Sequence, residues 1–168
     1  MGSGKTRVGG ELARLLKMPF IDADREIESA AGMAISEIFE KFGEREFRSG
    51  ERKVMQRLLS GEATVIATGG GAFIQDGVRK NIQQTAISVW LKADLDILME
   101  RVAKSDHRPL LKGGDPAIKL QELIEARYPV YAEADITVVT DRQTPQDMAK
   151  IIRGALEEFL KMEMEAEK

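Results

Sequence analysis

No cysteine occurs anywhere in the chain, which excludes disulfides, thiolate nucleophiles and cysteine-ligated metals and fits a reducing compartment. No apolar run approaches the roughly eighteen residues of a membrane span and no secretory signal is visible, so a cytoplasmic protein with no membrane partner is expected. Neither sign of charge dominates, since 25 Lys and Arg stand against 28 Asp and Glu for a formal charge of -3. Such a field does not favour nucleic acid, and an anionic substrate has to be held by local arginines. Histidine is nearly missing too: His107 is the only one and reads as incidental. There is no internal repeat and no low-complexity linker. What remains is a chain of 168 residues, 43% hydrophobic and 32% charged, suited to one domain over residues 1–168 with a single adequate core. A monomer is expected.

The most informative stretch is the first. Gly2-Ser3-Gly4-Lys5-Thr6 reads as the back half of the phosphate-binding pattern G-x-x-x-x-G-K-[ST], with Gly4, Lys5 and Thr6 in its last three places. Glycines in that pattern let backbone N–H groups curl round phosphate oxygens, the Lys reaches the outer phosphates and the hydroxyl binds Mg²⁺. Val8, Leu12, Leu15 and Leu16 recur at helical spacing directly afterwards, so a helix N-terminus adds its dipole and unpaired N–H groups to an anion site. The plainer reading of Met-Gly-Ser-Gly is an expression scar.

Further along, Phe20-Ile21 begins a short strand expected to end in Asp22-Ala23-Asp24, with both carboxylates leaving the same side of an extended backbone at its carboxyl end. Ligands bind at that edge of open parallel sheets; the plainer role is a turn or helix cap. Arg48 and Glu51 lie three apart on a helix that also carries Val54, Met55, Leu58 and Leu59, so Glu51 can hold the guanidinium, or the two can form an ordinary surface pair. Thr64 to Ala67 is a buried strand followed by Gly69-Gly70-Gly71, more glycine than a turn requires and suited to close approach of backbone to a ligand. Ala86 to Leu91 is the next strand, with Trp90 in the core. After a helix ending near Arg101, residues 102–116 have the polar, glycine-rich composition of a lid, with Leu110 and Leu111 buried on closure. Ile118 to Arg127 is a helix that Tyr128-Pro129 terminates. Ile136 to Val139 is the last strand, and Thr144-Pro145-Gln146-Asp147 caps the last helix. Strands alternating with helices behind a phosphate loop predict an α/β, doubly wound parallel sheet, and spacing alone points to a phosphotransferase acting on a small molecule.

The loop, Asp22-Ala23-Asp24, Phe47-Arg48 with Glu51, Gly69-Gly70-Gly71, Arg108-Pro109-Leu110-Leu111 and Arg127 through Tyr131 follow one another in the order seen in shikimate kinases, and the chain resembles that family along essentially its whole length. The resemblance implies a P-loop fold like that of nucleoside monophosphate kinases. It also implies transfer of the γ-phosphoryl of ATP, with Mg²⁺, to the 3-hydroxyl of shikimate. Carried over by motif, Gly2, Ser3, Gly4, Lys5 and Thr6 hold the nucleotide phosphates. Lys5 steadies the transferring group; Thr6 ligates Mg²⁺ and Asp22 supports it. Asp24 meets the substrate hydroxyls as the base, Arg48 and Arg127 clamp the carboxylate, and Gly69, Gly70 and Gly71 offer backbone to the substrate. Arg108 closes over the phosphates, and Arg101 and Pro145 correspond to adenine-pocket positions. Two other readings stay open: a protein of this kind that binds without turnover, and a related gluconate-type or nucleotide kinase.

One departure stands out. The first Gly of the phosphate loop would lie five residues before Gly4, ahead of Met1, and the strand feeding the loop further upstream. The expectation is a chain shortened at its start by about 8 to 12 residues, since a strand takes about five or six. The strands at Thr64 to Ala67 and Ala86 to Leu91 would then face an empty slot, leaving the chain poorly soluble or inactive until an apolar strand is restored.

Overall fold

The computed structural model describes residues 3–103 and 115–166. Its elements alternate as foreseen: α1 (Lys5–Leu16), β1 (Phe20–Asp22), α2 (Ala23–Ala31), α3 (Ile35–Leu59), β2 (Val65–Ala67), α4 (Asp76–Thr85), β3 (Val89–Lys92), α5 (Leu95–Ala103), α6 (Pro116–Tyr131), β4 (Ile136–Val139) and α7 (Pro145–Ala166). The expected lid, with Arg108, His107, Leu110 and Leu111, lies outside the described residues across 104–114.

Every strand pairing is parallel. β1 lies beside β2, with Phe20 opposite Val65 and Asp22 opposite Ala67; β3 lies beside β4, with Val89 opposite Ile136 and Lys92 opposite Val139. Among the described residues the two pairs are not joined. Cavities of about 470 and 200 Å³ lie between them, both lined by Ile66 and Thr68 from one side and Ile87, Val89 and Leu91 from the other.

Helices cover both faces. On one, Val8 and Leu12 of α1 meet Met148, Ala149 and Ile152 of α7 over Leu91, Ile136 and Val138. On the other, Met55 of α3 packs with Val78 and Ile82 of α4, Ala23 and Ala72. Met55 and Met148 are each 1% exposed, and burial of a side chain of that size contributes about 1.5–3 kcal/mol.

Two local outcomes, at Asp24 and at Pro129, depart from the sequence reading. Asp24 is not on the strand: β1 stops at Asp22, whose side chain caps α2 by accepting from the backbone N–H groups of Asp24 at 3.0 Å and Arg25 at 3.4 Å. Asp is well suited to that cap, and the helix it starts sets the direction of Asp24. Within α3 two helical stretches meet at a kink at Gly43, where φ is +79°. α6 does not end at Pro129 but runs through it to Tyr131. The missing donor at Pro129 is tolerated because the last turn is anchored from outside: Ala132 N–H donates to the Tyr128 carbonyl at 2.9 Å, and the rings of Tyr128 and Tyr131 lie 4.8 and 5.9 Å from Trp90. Trp90 is half-buried in this aromatic group.

Candidate active site

At the head of α1, Gly4 takes the left-handed conformation (φ +81°) and acts as N-cap without a side-chain bond. Its carbonyl accepts from Val8 N–H at 3.0 Å. The first turn holds no acidic residue, so its unpaired N–H groups and dipole end are left to an anion. Lys5 Nζ donates to the Ser3 hydroxyl at 3.2 Å. Thr6 Oγ1 donates to Asp22 Oδ2 at 2.8 Å. Asp22 therefore ties two elements together, one oxygen capping α2 and the other meeting α1.

The two oxygens of Thr6 and Asp22 fit a magnesium ion. Among the described residues no cluster of three His, Cys, Asp or Glu side chains is placed to hold a metal. Mg²⁺ commonly binds through one or two protein oxygens while phosphates and waters complete its octahedron.

Two residues past Asp22, the Asp24 carboxyl sits above its ordinary pKa, chiefly through burial and secondarily through the Asp22 charge, with Lys5 and Arg48 pulling the other way. Arg48 comes from α3 into the same space. Its Nη1 donates to Glu51 Oε2 at 2.6 Å, and its Nε and Nη2 donate to Glu44 Oε1 at 3.3 and 3.1 Å. Burial works against the Arg48 charge, but the bond to Glu51 and its charge, then Glu44, outweigh it and raise the guanidinium pKa. Glu51 is 1% exposed. It is no surface pair, and burial lifts its pKa although Arg48 and Gln75 stabilise the anion.

The glycines after β2 are where the sequence put them, for a more specific reason. A Cβ at Gly69 would lie 2.7 Å from Asp24 Oδ1 and 3.3 Å from Glu51 Oε1, and a Cβ at Gly71 would lie 2.1 Å from Arg48 Nη1. Side chains of the site press against this backbone, so a side chain at Gly69 or Gly71 would have to displace Asp24 or Arg48. The Gly70 carbonyl accepts the hydroxyl of Tyr131. Burial holds the Tyr131 phenol above its usual pKa, opposed first by the adjacent Arg127 and then by Arg48, while Glu51 acts in the same direction as burial. Arg127 of α6 thus bonds the phenol, and the charge of Arg48 of α3 is near enough to act on it.

The structure brings Ser3, Lys5, Thr6, Asp22, Asp24, Arg48, Gly69, Gly70, Gly71 and Arg127 into one region. Pro145 is the first residue of α7, behind the Thr144 cap that Asp147 closes with bonds of 2.7 and 3.1 Å, and the next residue, Gln146, donates to Glu11 of α1 at 3.2 Å. Gly2, the side chain of Arg101 and all of Arg108 lie outside what is described. Three contributors were not singled out from sequence. Glu44, four before Arg48, and Tyr131, four after Arg127, had a helical-spacing signal. Gln75, 24 positions from its partner Glu51, had none.

Comparison with known proteins agrees with this geometry. The family model for shikimate kinase matches residues 1–157. The chain is 52% identical to the shikimate kinase of Paramagnetospirillum magneticum over 153 residues, covering 91% of this chain and 77% of that protein. It is 50% identical to that of Rhizobium leguminosarum bv. trifolii over 168 residues, covering 100% of this chain and 82% of the relative. Among solved structures, the shikimate kinase of Acinetobacter baumannii in complex with shikimate matches with a TM-score of 0.91 at 40% identity, covering 94% of this chain and 89% of that one. The enzyme of Aquifex aeolicus matches with a TM-score of 0.80 at 34% identity, with 94% and 92% covered. A phosphate loop beside a half-buried Asp, two arginines and a glycine turn, matched over nearly the whole length in sequence and backbone, place this chain in the shikimate kinase family.

Proposed function

We propose that the chain transfers the γ-phosphoryl group of ATP to the 3-hydroxyl of shikimate, giving ADP and shikimate 3-phosphate. The observation that carries this reading is the gathering of Asp24, Tyr131 and Arg48 on the Gly69 to Gly71 backbone, with Arg127 beside Tyr131 and Lys5 acting on Asp24. A carboxylate clamp, a base and a phosphate donor site thereby adjoin. The planar fork of Arg suits a carboxylate better than the point charge of Lys.

Arg48 has its Nε–Nη2 edge on Glu44, whose side chain is 60% exposed. A helix-surface pair of this kind is worth about 0.3–0.5 kcal/mol, so the carboxylate of shikimate displaces Glu44 at small cost while Glu51 keeps its hold on Nη1. The hydroxyl to be phosphorylated then faces Asp24, which takes its proton as the oxygen attacks the γ-phosphorus. The raised pKa of Asp24 makes it a stronger base than a solvated carboxylate. Lys5 and the head of α1 stabilise charge on the transferring oxygens. Mg²⁺ held by Thr6 and supported by Asp22 would neutralise phosphate charge. Arg108 is proposed to close over the phosphates, with Arg101 and Pro145 at the adenine, and the backbone of Gly69 to Gly71 meeting the substrate.

The same reading places the protein in the cytoplasm as a monomeric, single-domain enzyme with no nucleic-acid or membrane partner. No helix among the described residues is long and apolar enough to cross a membrane. Arginines would also hold the carboxylate of gluconate or the phosphate of a nucleotide, so the preference for shikimate rests on the relatives at about 50% identity; a non-catalytic binder has no use for Lys5 and Asp24. Following ADP release with shikimate, gluconate and nucleoside monophosphates in parallel tests the assignment. Turnover with shikimate alone is expected; turnover with another acceptor, or with none, overturns it.

A further inference from the structure

Glu51 Oε2 is the meeting point of two donors from different elements. Arg48 Nη1 reaches it at 2.6 Å from within α3, and Gln75 Nε2 reaches it at 2.7 Å from the turn that joins the glycine stretch to α4. Gln75 is also the N-cap of α4 through its backbone, accepting from Val78 and Arg79 N–H at 3.0 and 2.9 Å. Its side chain is therefore carried by a fixed backbone. That turn is fixed from its other side as well: Arg79 donates to the carbonyls of Phe73 and Ile74 at 3.2 and 3.4 Å and pairs with Glu133 at 3.0 Å. The second Glu51 oxygen faces the Gly69 backbone. A carboxylate so enclosed keeps one orientation only while both donors are present.

We propose that Gln75 is a positioning residue for substrate carboxylate recognition, acting through Glu51 to hold the Arg48 guanidinium in its clamping orientation. This rests on the reading of Arg48 as the carboxylate clamp. Gln75 touches neither reactant; without it Glu51 Oε2 has one donor, the carboxylate can turn, and Arg48 turns with it.

The charge balance gives a readout that simple packing would not. Glu51 must be ionised to hold Arg48, burial opposes that ionisation, and Arg48 and then Gln75 favour it, with Asp24 of α2 opposing. The other charged or titratable groups around it are Glu44 on α3 and Tyr131 and Arg127 on α6. Loss of the Gln75 donor raises the Glu51 pKa, so the pH below which shikimate recognition fails moves upward. A positive charge at position 75 moves it downward, and a carboxylate there moves it up further.

The test uses Gln75→Met, which keeps length and removes the donor, together with Gln75→Lys and Gln75→Glu, assayed for kcat and KM from acid to neutral pH. In Gln75→Met the KM for shikimate should rise roughly tenfold, the lower end for one hydrogen bond to a charged group, with KM for ATP and kcat within about twofold. The acid limb of kcat/KM for shikimate should shift upward in Gln75→Met and Gln75→Glu and downward in Gln75→Lys. An unmoved limb, or KM values for ATP and shikimate rising together, overturns the proposal. If Gln75→Met fails to fold, the opposite shifts of the Lys and Glu variants still decide it. Arg48→Ala in the same assay separates the two ideas. A large rise in its shikimate KM with Gln75→Met unchanged sinks only the positioning role, whereas an unchanged KM in Arg48→Ala removes the clamp and the proposal with it.

Discussion

Gly71→Ala adds a single methyl group, and the structure states where it goes. The new carbon would lie 2.1 Å from Arg48 Nη1, 2.5 Å from Cζ and 2.6 Å from Nη2. Comfortable contact begins near 3.5 Å, so the guanidinium has to retreat by more than about 1 Å. Glu51 cannot follow freely, because it is 1% exposed and bonded to Gln75 at 2.7 Å. The 2.6 Å bond between Arg48 and Glu51 is therefore broken or badly bent. A hydrogen bond between charged groups is worth about 1.5–3 kcal/mol, and each 1.4 kcal/mol is tenfold in affinity. The KM for shikimate should rise by roughly 10- to 150-fold. The phosphate loop lies on another element, so the KM for ATP should change by less than about twofold. Steady-state kinetics with each substrate varied in turn, alongside a thermal melt, make the comparison. An unchanged shikimate KM, or equal rises for both substrates, would refute the reasoning that this glycine exists to admit Arg48.

Three further outcomes are expected. Lys5→Ala should fold normally and lose roughly a hundredfold or more in kcat, the scale for one preorganised charge donor; near-normal turnover would remove the loop from the mechanism. Glu44→Gln should lower the KM for shikimate by about twofold, the scale of one exposed helix pair, by freeing the Nε–Nη2 edge of Arg48, and a higher KM in steady-state kinetics would show that Glu44 aims the arginine instead of competing for it. Fusing about five apolar β-branched residues and a loop glycine ahead of Met1 should raise the melting temperature by at least about 5 °C. Each newly paired buried backbone group recovers about 1–3 kcal/mol, and 1 kcal/mol moves Tm by about 2–4 °C at this size. An unchanged melt would show that the slot between β2 and β3 does not take a strand.

Much of this arrangement was legible because its signals are local. The phosphate loop, the helical stripe of Val8 and Leu12, the β-branched strands and the Thr144–Asp147 cap are written within a few residues each. Arg48 with Glu51 was readable as a pair three apart, yet whether it lay on the surface or inside was not: the 1% exposure of Glu51 depends on α4 and the glycine turn closing over α3. Asp22 and Asp24 were placed on one strand because an alternation of two reads as extended chain; the cap formed by Asp22 won that competition. Pro129 was read as a stop, and the anchors that let α6 continue are distant in sequence: Trp90 lies 38 positions from Tyr128, and the Gly70 carbonyl 61 positions from Tyr131. Long-range partners of this kind leave no periodicity to read, and Gln75 is the clearest case.

The central claim is that Arg48, Arg127, Asp24 and Lys5 direct a phosphoryl group to one hydroxyl of one carboxylate-bearing acceptor. Phosphorus NMR of a reaction holding ATP, Mg²⁺, shikimate and the purified protein tests this directly, because coupling of the new phosphate signal to a ring proton reports the oxygen that was modified. A single new monoester resonance coupled to the proton at carbon 3, growing as ADP grows, is the predicted result. Inorganic phosphate alone, a mixture of positions, or no consumption of ATP would contradict it.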